Sequence, residues 1–159
     1  MFLPPAAREA AGLEVTRLSR HWFFSADPTR YHWDTLFVKG KDLWSDIRDS
    51  ASQRYLKQVQ KGDKVICYHG APDRMVYALA TVASNPYLDP TDPKKRLLIV
   101  DLKANERVPR PVPLKEMKGD RALRRMKFLA RPRLAVSPLS EHEYNEVLRL
   151  AGVLISPYR

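Results

Sequence analysis

The sequence predicts a small α+β domain whose strands suit a barrel. Two observations carry that prediction. Short runs of β-branched, aromatic and aliphatic residues are interrupted by short helical patterns, without the strand–helix–strand repetition of a doubly wound sheet. No internal repeat organises the chain, and 159 residues are enough for one domain that buries roughly two-thirds of its unfolded surface.

Residues 1–20 read as an N-terminal extension, proline-bearing at positions 4 and 5 and then compatible with a short helix over 6–18; residues 21–159 form the domain. The aromatic run from His21 to Ser25 is the first core strand. Asp27-Pro28 marks a turn, because the residue before proline is pushed out of the helical region. HWDTLFVKG then suits a helical turn with Trp33, Leu36 and Phe37 inward and Gly40 beyond its end. Ser50 followed by Gln53 matches a capping box, so a helix is expected there, with Tyr55, Leu56 and Val59 on its apolar face and Lys61-Gly62-Asp63 at its end.

KVICYHG and RMVYALATVA are strands, the second apolar on both faces and therefore buried. The turn-rich SNPYLDPTDPKK precedes another strand, RLLIVDLKA, and the prolines of VPRPVP confine that segment to extended structure. PLKEMK is expected as a short helix with Pro113 at its first position. DRALRRMKF is expected as another, capped by Asp120, with Leu123 and Met126 as contacts, and PRLAVSPL returns to extended structure. The last helix opens on a capping box, Ser140 to Glu143, and carries a stripe of Tyr144, Val147, Leu148 and Ala151 before Gly152 stops it.

Composition bounds the setting. Apolar residues make up 44% of the chain, ordinary for a globular protein, and no run approaches the roughly 20 apolar residues of a membrane helix. The N-terminus lacks the apolar core of a secretory signal, and the single cysteine, Cys67, excludes an internal disulfide and fits a reducing compartment. The expected location is cytoplasmic, with no membrane partner. Charge says more: 28 Lys and Arg against 18 Asp and Glu give +10 and a pI near 9.9. Eleven of the basic residues fall within 103–133: Lys103, Arg107, Arg110, Lys115, Lys118, Arg121, Arg124, Arg125, Lys127, Arg131 and Arg133. Only Glu106, Glu116 and Asp120 oppose them. Such a concentration attracts phosphate backbones through counterion release, whatever the base sequence. The alternative is a solvated basic surface.

Catalytic signatures are weak. The six glycines include no phosphate-cradling arrangement, and the four histidines and one cysteine show no metal-ligand spacing, so no metal or other cofactor is implied. Cys67 and His69, two apart on a strand, share a face and could form a nucleophile pair. No third group orients them, and a lone cysteine in an apolar strand is ordinarily a small core residue. The aromatics are more informative. Trp33, Trp44 and Tyr68 flank polar, turn-like segments. An extruded base is held between aromatic or apolar side chains while polar groups read its edge. Trp44, Ile47, Arg48, Asp49 and Ser50, with Tyr68 and His69 at a strand end, have that composition. Spacing alone leaves this reading level with tryptophans that merely anchor loops to the core.

Seven blocks in order resemble an EVE domain, a member of the PUA-like superfamily, over residues 21–150. HWFFSADP stands where the family has an aromatic strand and Lys-Ser-Glu-Pro; HWDTL matches its Ser-Trp-Asp-Asp-Leu-like segment. WSDIRDSASQR falls on Trp-Asp-Gly-Val-Arg-Asn-Tyr-Gln-Ala-Arg, and KGDKVICYHG on the Lys-x-Gly-Asp … Phe-Tyr-His-Ser block. YLDPTDP, VPRPVPL and FLARPRLAVSPLS complete the series. The resemblance implies a PUA-like mixed β-barrel with short peripheral helices, a non-catalytic role, and a pocket for a modified base, foremost modified cytosine in DNA, with relatives reading RNA. By position the pocket draws on Ser25, Asp27, Trp44, Ile47, Arg48, Asp49, Ser50, Tyr68, His69 and Arg131. The backbone contacts fall to Lys103, Arg107, Arg110, Lys118, Arg121, Arg124, Arg125, Lys127 and Arg133.

Three departures bear on the ligand. The Lys-Ser-Glu of the family is Ser25-Ala26-Asp27 here, which removes a positive charge and shortens the carboxylate by a methylene. Its glycine is Asp46, where a Cβ alters the loop if the position needs positive φ. Its asparagine is Asp49, an acceptor-only group that favours an amine such as cytosine N4, unless it pairs with Arg48 or Arg54. Two other classes of function stand beside the reader: an enzyme acting on a nucleotide or small metabolite through Asp27, Asp49 or His69, and a scaffold whose basic face meets an acidic protein.

Overall fold

Side chains on a strand alternate between its two faces, and the first strand divides the core accordingly. In β1 (His21–Ala26) Trp22, Phe24 and Ala26 enter one apolar cluster and Phe23 the other. The computed structural model describes residues 20–153; the short helix expected over 6–18 lies outside them. After β1 come α1 (Trp33–Lys39), β2 (Lys41–Trp44), α2 (Ser50–Leu56), β3 (Lys64–His69), β4 (Met75–Val82) and β5 (Tyr87–Leu88). They are followed by β6 (Leu98–Pro113), α3 (Leu114–Lys118), a 3-10 turn (Arg121–Leu123), α4 (Lys127–Ala130), β7 (Val136–Leu139) and α5 (Glu141–Leu150). No helix among the described residues is long and apolar enough to cross a membrane.

The strands form one mixed sheet in the order β2-β6-β4-β3-β1-β7, with β5 also on β6. The β1–β3 pair is parallel and the other ladders are antiparallel. The first cluster gathers Trp22, Phe24, Trp33, Leu36, Trp44, Ile47, Leu56 and Cys67. The second gathers Phe23, Ile66, Tyr68, Met117, Phe128, Val147 and Leu148 beneath α3, α4 and α5. This is the α+β barrel with peripheral helices that the sequence predicts.

Helix α2 stands in the wall of this barrel. The Ser52 hydroxyl accepts the backbone N–H of Ala135 at 2.8 Å and of Val136 at 3.2 Å, at the start of β7. The adjacent Gln53 amide accepts from Leu98 N at 2.9 Å and donates to Leu98 O at 3.1 Å, at the start of β6. It also donates to Ile47 O at 2.6 Å. Two neighbouring buried side chains thus satisfy backbone groups on two strands that no ladder joins, groups that would be costly to bury unpaired. The expected capping box is therefore not formed. Asp49 is the N-cap, accepting from Ser52 N at 2.8 Å, while Gln53 points inward. Helix α2 also ends at Leu56, so buried Val59 follows it rather than riding on it.

Elsewhere most expectations hold with adjusted boundaries, but β2 was not expected and β5 falls within the segment read as a turn-rich loop. Gly40 closes α1 at φ 78, and the Ser140–Glu143 capping box opens α5. RLLIVDLKA and VPRPVP are one strand, β6. Its prolines at 109 and 111 fall where the register with β4 shifts, between Arg107 opposite Ala78 and Val112 opposite Val76. There a missing N–H breaks no ladder bond. Pro113 caps α3 rather than beginning it, and DRALRRMKF breaks into the 3-10 turn and α4. Buried Asp63 accepts from Trp22 Nε1 at 2.9 Å, Arg20 N at 3.1 Å and Gln60 N at 2.9 Å, which ties the loop before β3 to β1.

Gln53→Met keeps the volume but strands the Leu98 N–H and C=O. It is expected to destabilise the protein by about 1–3 kcal/mol in urea unfolding.

Candidate functional site

The loop between β2 and α2 borders a cavity of about 280 Å³, at the small end for ligand pockets. Ser25, Ala26, Asp27, Arg30, Tyr31, Trp44, Ser45, Asp46, Arg48, Asp49, Arg133 and Ala135 line it. Trp44 is only 3% exposed. It stacks on Phe24, ring centroids 4.7 Å apart and 18° between planes, with Trp33 tilted against it at 5.5 Å. It is both core anchor and cavity wall, which joins two readings that the sequence had left as alternatives.

Five of the ten residues expected in the pocket line this cavity: Ser25, Asp27, Trp44, Arg48 and Asp49. The other five sit elsewhere. Ile47 is 1% exposed and contributes its carbonyl to Gln53. Ser50 faces a neighbouring groove. Tyr68 belongs to the second core cluster, packed on Phe23 and Phe128 at 5.2 and 4.9 Å, because its strand neighbour Cys67 takes the first. His69 is fully buried beside Trp33. Arg131 follows α4 and is exposed, and the cavity takes its cation from Arg133 instead. Arg30 and Tyr31 were not anticipated, although they directly follow the Asp27-Pro28 turn that folds back on the site; Asp46, singled out as a departure from the motif, also lines it.

Charge in the cavity is mostly spent internally. Asp27 closes its own turn, accepting from Thr29 N at 2.9 Å and Thr29 Oγ1 at 2.7 Å, and those bonds hold its carboxyl below the usual range. Asp46 adopts φ 67, so the position does require the left-handed region, which aspartate tolerates better than most side chains. Its carboxylate meets Arg30 at 3.0 Å and Arg48 at 2.8 Å. Asp49 pairs with neither Arg48 nor Arg54: one oxygen caps α2, and the other has no protein partner among the described residues. Tyr31 donates its hydroxyl to Asp42 at 2.9 Å, and burial followed by that bond pushes its ionisation far up. Asp49, Arg133 and the second oxygen of Asp27, whose Thr29 bonds both fall on Oδ1, are the charges left open to a ligand.

Catalytic and metal readings fare differently from the pocket. Cys67 lies in the apolar core, and burial alone drives its thiol pKa far above normal, so it is no nucleophile. His32, His69 and Asp73 bring potential ligand atoms within 4.8 Å of one another. The tautomers oppose a metal there. His69 Nε2 accepts from Trp33 N at 3.0 Å and His32 Nδ1 accepts from Asp34 N at 3.0 Å. The remaining nitrogen of each neutral ring must carry its proton, so neither has a lone pair to give. A ligating histidine normally donates from its second nitrogen, the opposite arrangement. Burial, then the neighbouring His32, lowers the pKa of His69 to about 4, which keeps it neutral.

Two arginines of the basic segment are already engaged. Arg107 pairs with Asp34 at 2.8 Å and lies over the Phe37 ring, while Arg110 pairs with Glu116 at 2.7 Å and donates to Leu150 O. Lys103, Lys118, Arg121, Arg124, Arg125, Lys127, Arg131 and Arg133 are exposed. The stretch after α4 leads straight to the cavity through Arg133.

The dual position of Asp49 generates a prediction. Asp49→Ala is expected to lose about 1 kcal/mol with the cap, whereas Asp49→Asn, an equivalent cap, leaves the thermal midpoint unchanged in calorimetry.

Residues 20–150 match the family described as the EVE domain. Human thymocyte nuclear protein 1 is 22% identical over 170 residues, spanning 86% of this chain and 76% of that protein. Among solved structures, protein Atu2648 from Agrobacterium tumefaciens is 27% identical with a TM-score of 0.82, over 87% of this chain and 97% of the other. The human THYN1 protein in complex with 5-methylcytosine containing DNA is 20% identical with a TM-score of 0.77, over 86% of this chain and 100% of the other. With a match that runs from the first described residue to the end of α5, the chain belongs to the EVE domain family.

Proposed function

We propose that this protein is a non-catalytic reader of a modified base in nucleic acid, with modified cytosine in DNA as the foremost ligand and RNA as the other polymer. The observation that carries the reading is the cavity: a volume near 280 Å³, a fixed indole wall, an open carboxylate oxygen on Asp49, and Arg133 at its edge. A flipped base requires a stacking surface plus groups that read its edge. Asp49, accepting only, suits an exocyclic amine such as cytosine N4. The human protein crystallised with 5-methylcytosine containing DNA shares this fold and supports the same class of ligand. Phosphates are drawn by the exposed cations of 118–133, while Arg107 and Arg110 are held in ion pairs and contribute less. A cytoplasmic setting is part of the reading.

The acid–base alternative has less support. The two Thr29 bonds on one oxygen of Asp27 hold its carboxyl below the usual range, which makes it a weak base, and His69 is fully buried.

Trp44→Ala is a poor test, because removing a core tryptophan costs on the order of 3–5 kcal/mol of stability. Asp49→Asn is the better one. We expect it to fold normally and to lose about tenfold affinity for a 5-methylcytosine oligonucleotide in fluorescence anisotropy, the scale of one hydrogen bond to a charged group. Undiminished binding by that variant would remove the edge-reading role and with it the proposed pocket.

A further inference from the structure

Beside the base cavity runs a second and larger concavity, of about 580 Å³, between α2 and the proline-bearing loop before β6. Arg48, Arg54, Lys57, Lys94 and Arg96 line it against a single carboxylate, Asp92. That carboxylate is spent on the loop itself. It accepts backbone N–H bonds from Lys94 at 3.2 Å, Arg96 at 2.8 Å and Leu97 at 2.9 Å, which hold it below the usual carboxylate range. Arg54, Lys57, Lys94 and Arg96 form no ion pair among the described residues. Four cations therefore line the groove without a paired acid.

The groove is fixed in shape. Gln53 hydrogen-bonds Leu98 at both its N–H and its C=O, so helix and loop end are joined by one side chain. Groove and cavity are also neighbours, because Arg48 lines both.

The geometry points to this groove as the track for the phosphodiester backbone next to the bound base, an assignment that rests on the base-reading function above. A strand whose base enters the Trp44 cavity passes Arg48 and lays its neighbouring phosphates along Arg54, Lys57, Lys94 and Arg96. None of these four was among the cations that the sequence nominated for the backbone. The strand thus meets Arg133 in the lining of the cavity as well as the cations of the groove. An acidic peptide would satisfy the same charges. Only a nucleic acid, however, uses groove and cavity as one surface.

The test compares wild type, Arg54→Glu/Arg96→Glu and Asp49→Asn, each first shown to melt like wild type. The probes are single-stranded oligonucleotides carrying one 5-methylcytosine or thymine at the same position, and poly-glutamate, at two salt concentrations. The groove variant is expected to lose about tenfold or more in affinity for both oligonucleotides at low salt. Its dependence of log K on log salt should flatten by about 0.7 for each phosphate that is no longer neutralised. It should retain the wild-type ratio between the 5-methylcytosine and thymine oligonucleotides, whereas Asp49→Asn should reduce that ratio, because thymine presents O4 where 5-methylcytosine presents the N4 amine that Asp49 accepts from. If the groove variant binds oligonucleotides as wild type does while Asp49→Asn loses discrimination, the groove assignment fails and the base pocket stands. Weaker binding by the groove variant with no discrimination in wild type removes the base pocket and with it the track beside it. Poly-glutamate binding as tight as oligonucleotide binding, and equally abolished in the groove variant, overturns the assignment in favour of an acidic protein partner.

Discussion

Everything functional in this molecule depends on how helix α2 is held in the barrel wall. Ser52 and Gln53 are consecutive residues, yet one bonds the start of β7 and the other the start of β6. A strand in that place would have offered a continuous ladder and no concavity. A helix offers two side-chain attachments, and its N-terminus and outer face stay available. The loop ahead of it, from Trp44 to Asp49, becomes the wall of the base cavity, while its exposed face with Arg54 and Lys57 becomes the wall of the basic groove. Energetically the arrangement replaces several backbone hydrogen bonds with a few buried polar ones, each modest when made and expensive when broken.

What could be read from the sequence was what local chemistry decides. The alternation of β1 and the capping box at Ser140 express backbone sterics and neighbouring side chains, and they appear as expected. At Ser50 the same local rule misleads. Asp49 and Ser50 are both good caps, and Gln53 is a proper third residue for Ser50 until the tertiary demand at Leu98 takes its amide inward. A contact 45 residues away cannot be inferred from a four-residue pattern. The candidate site was half legible for a related reason. Trp44, Arg48 and Asp49 lie in the loop that the family motif marks, whereas the side of Tyr68 is set by the alternation of β3 and by which core lies beneath it. Arg30 and Tyr31 reach the cavity through the turn at Asp27, whose backbone carbonyl accepts from both their N–H groups.

Charge counted along a chain differs from charge met by a ligand. In the 103–133 segment, two of the arginines are already committed to Asp34 and Glu116. The α2 groove draws on two short, separate stretches, around 54 and at the basic run Lys94-Lys95-Arg96, which lie far apart in sequence. Folding brings them together and turns their one acid into a loop brace. Ion pairs at exposed positions add little stability, but they decide which guanidinium groups remain available.

Asp46 carries this logic into the cavity itself. A residue in the left-handed region, where the family motif has glycine, places a carboxylate between Arg30 and Arg48. The cavity therefore contains its own resident counter-ion. A free phosphate or sulfate drawn toward those arginines has to displace a tethered anion already at hydrogen-bonding distance, whereas an uncharged heterocycle entering beside Trp44 displaces only water. For a protein that works among abundant cellular anions, that bias keeps a strongly basic surface from filling its own recognition site with the commonest ions around it.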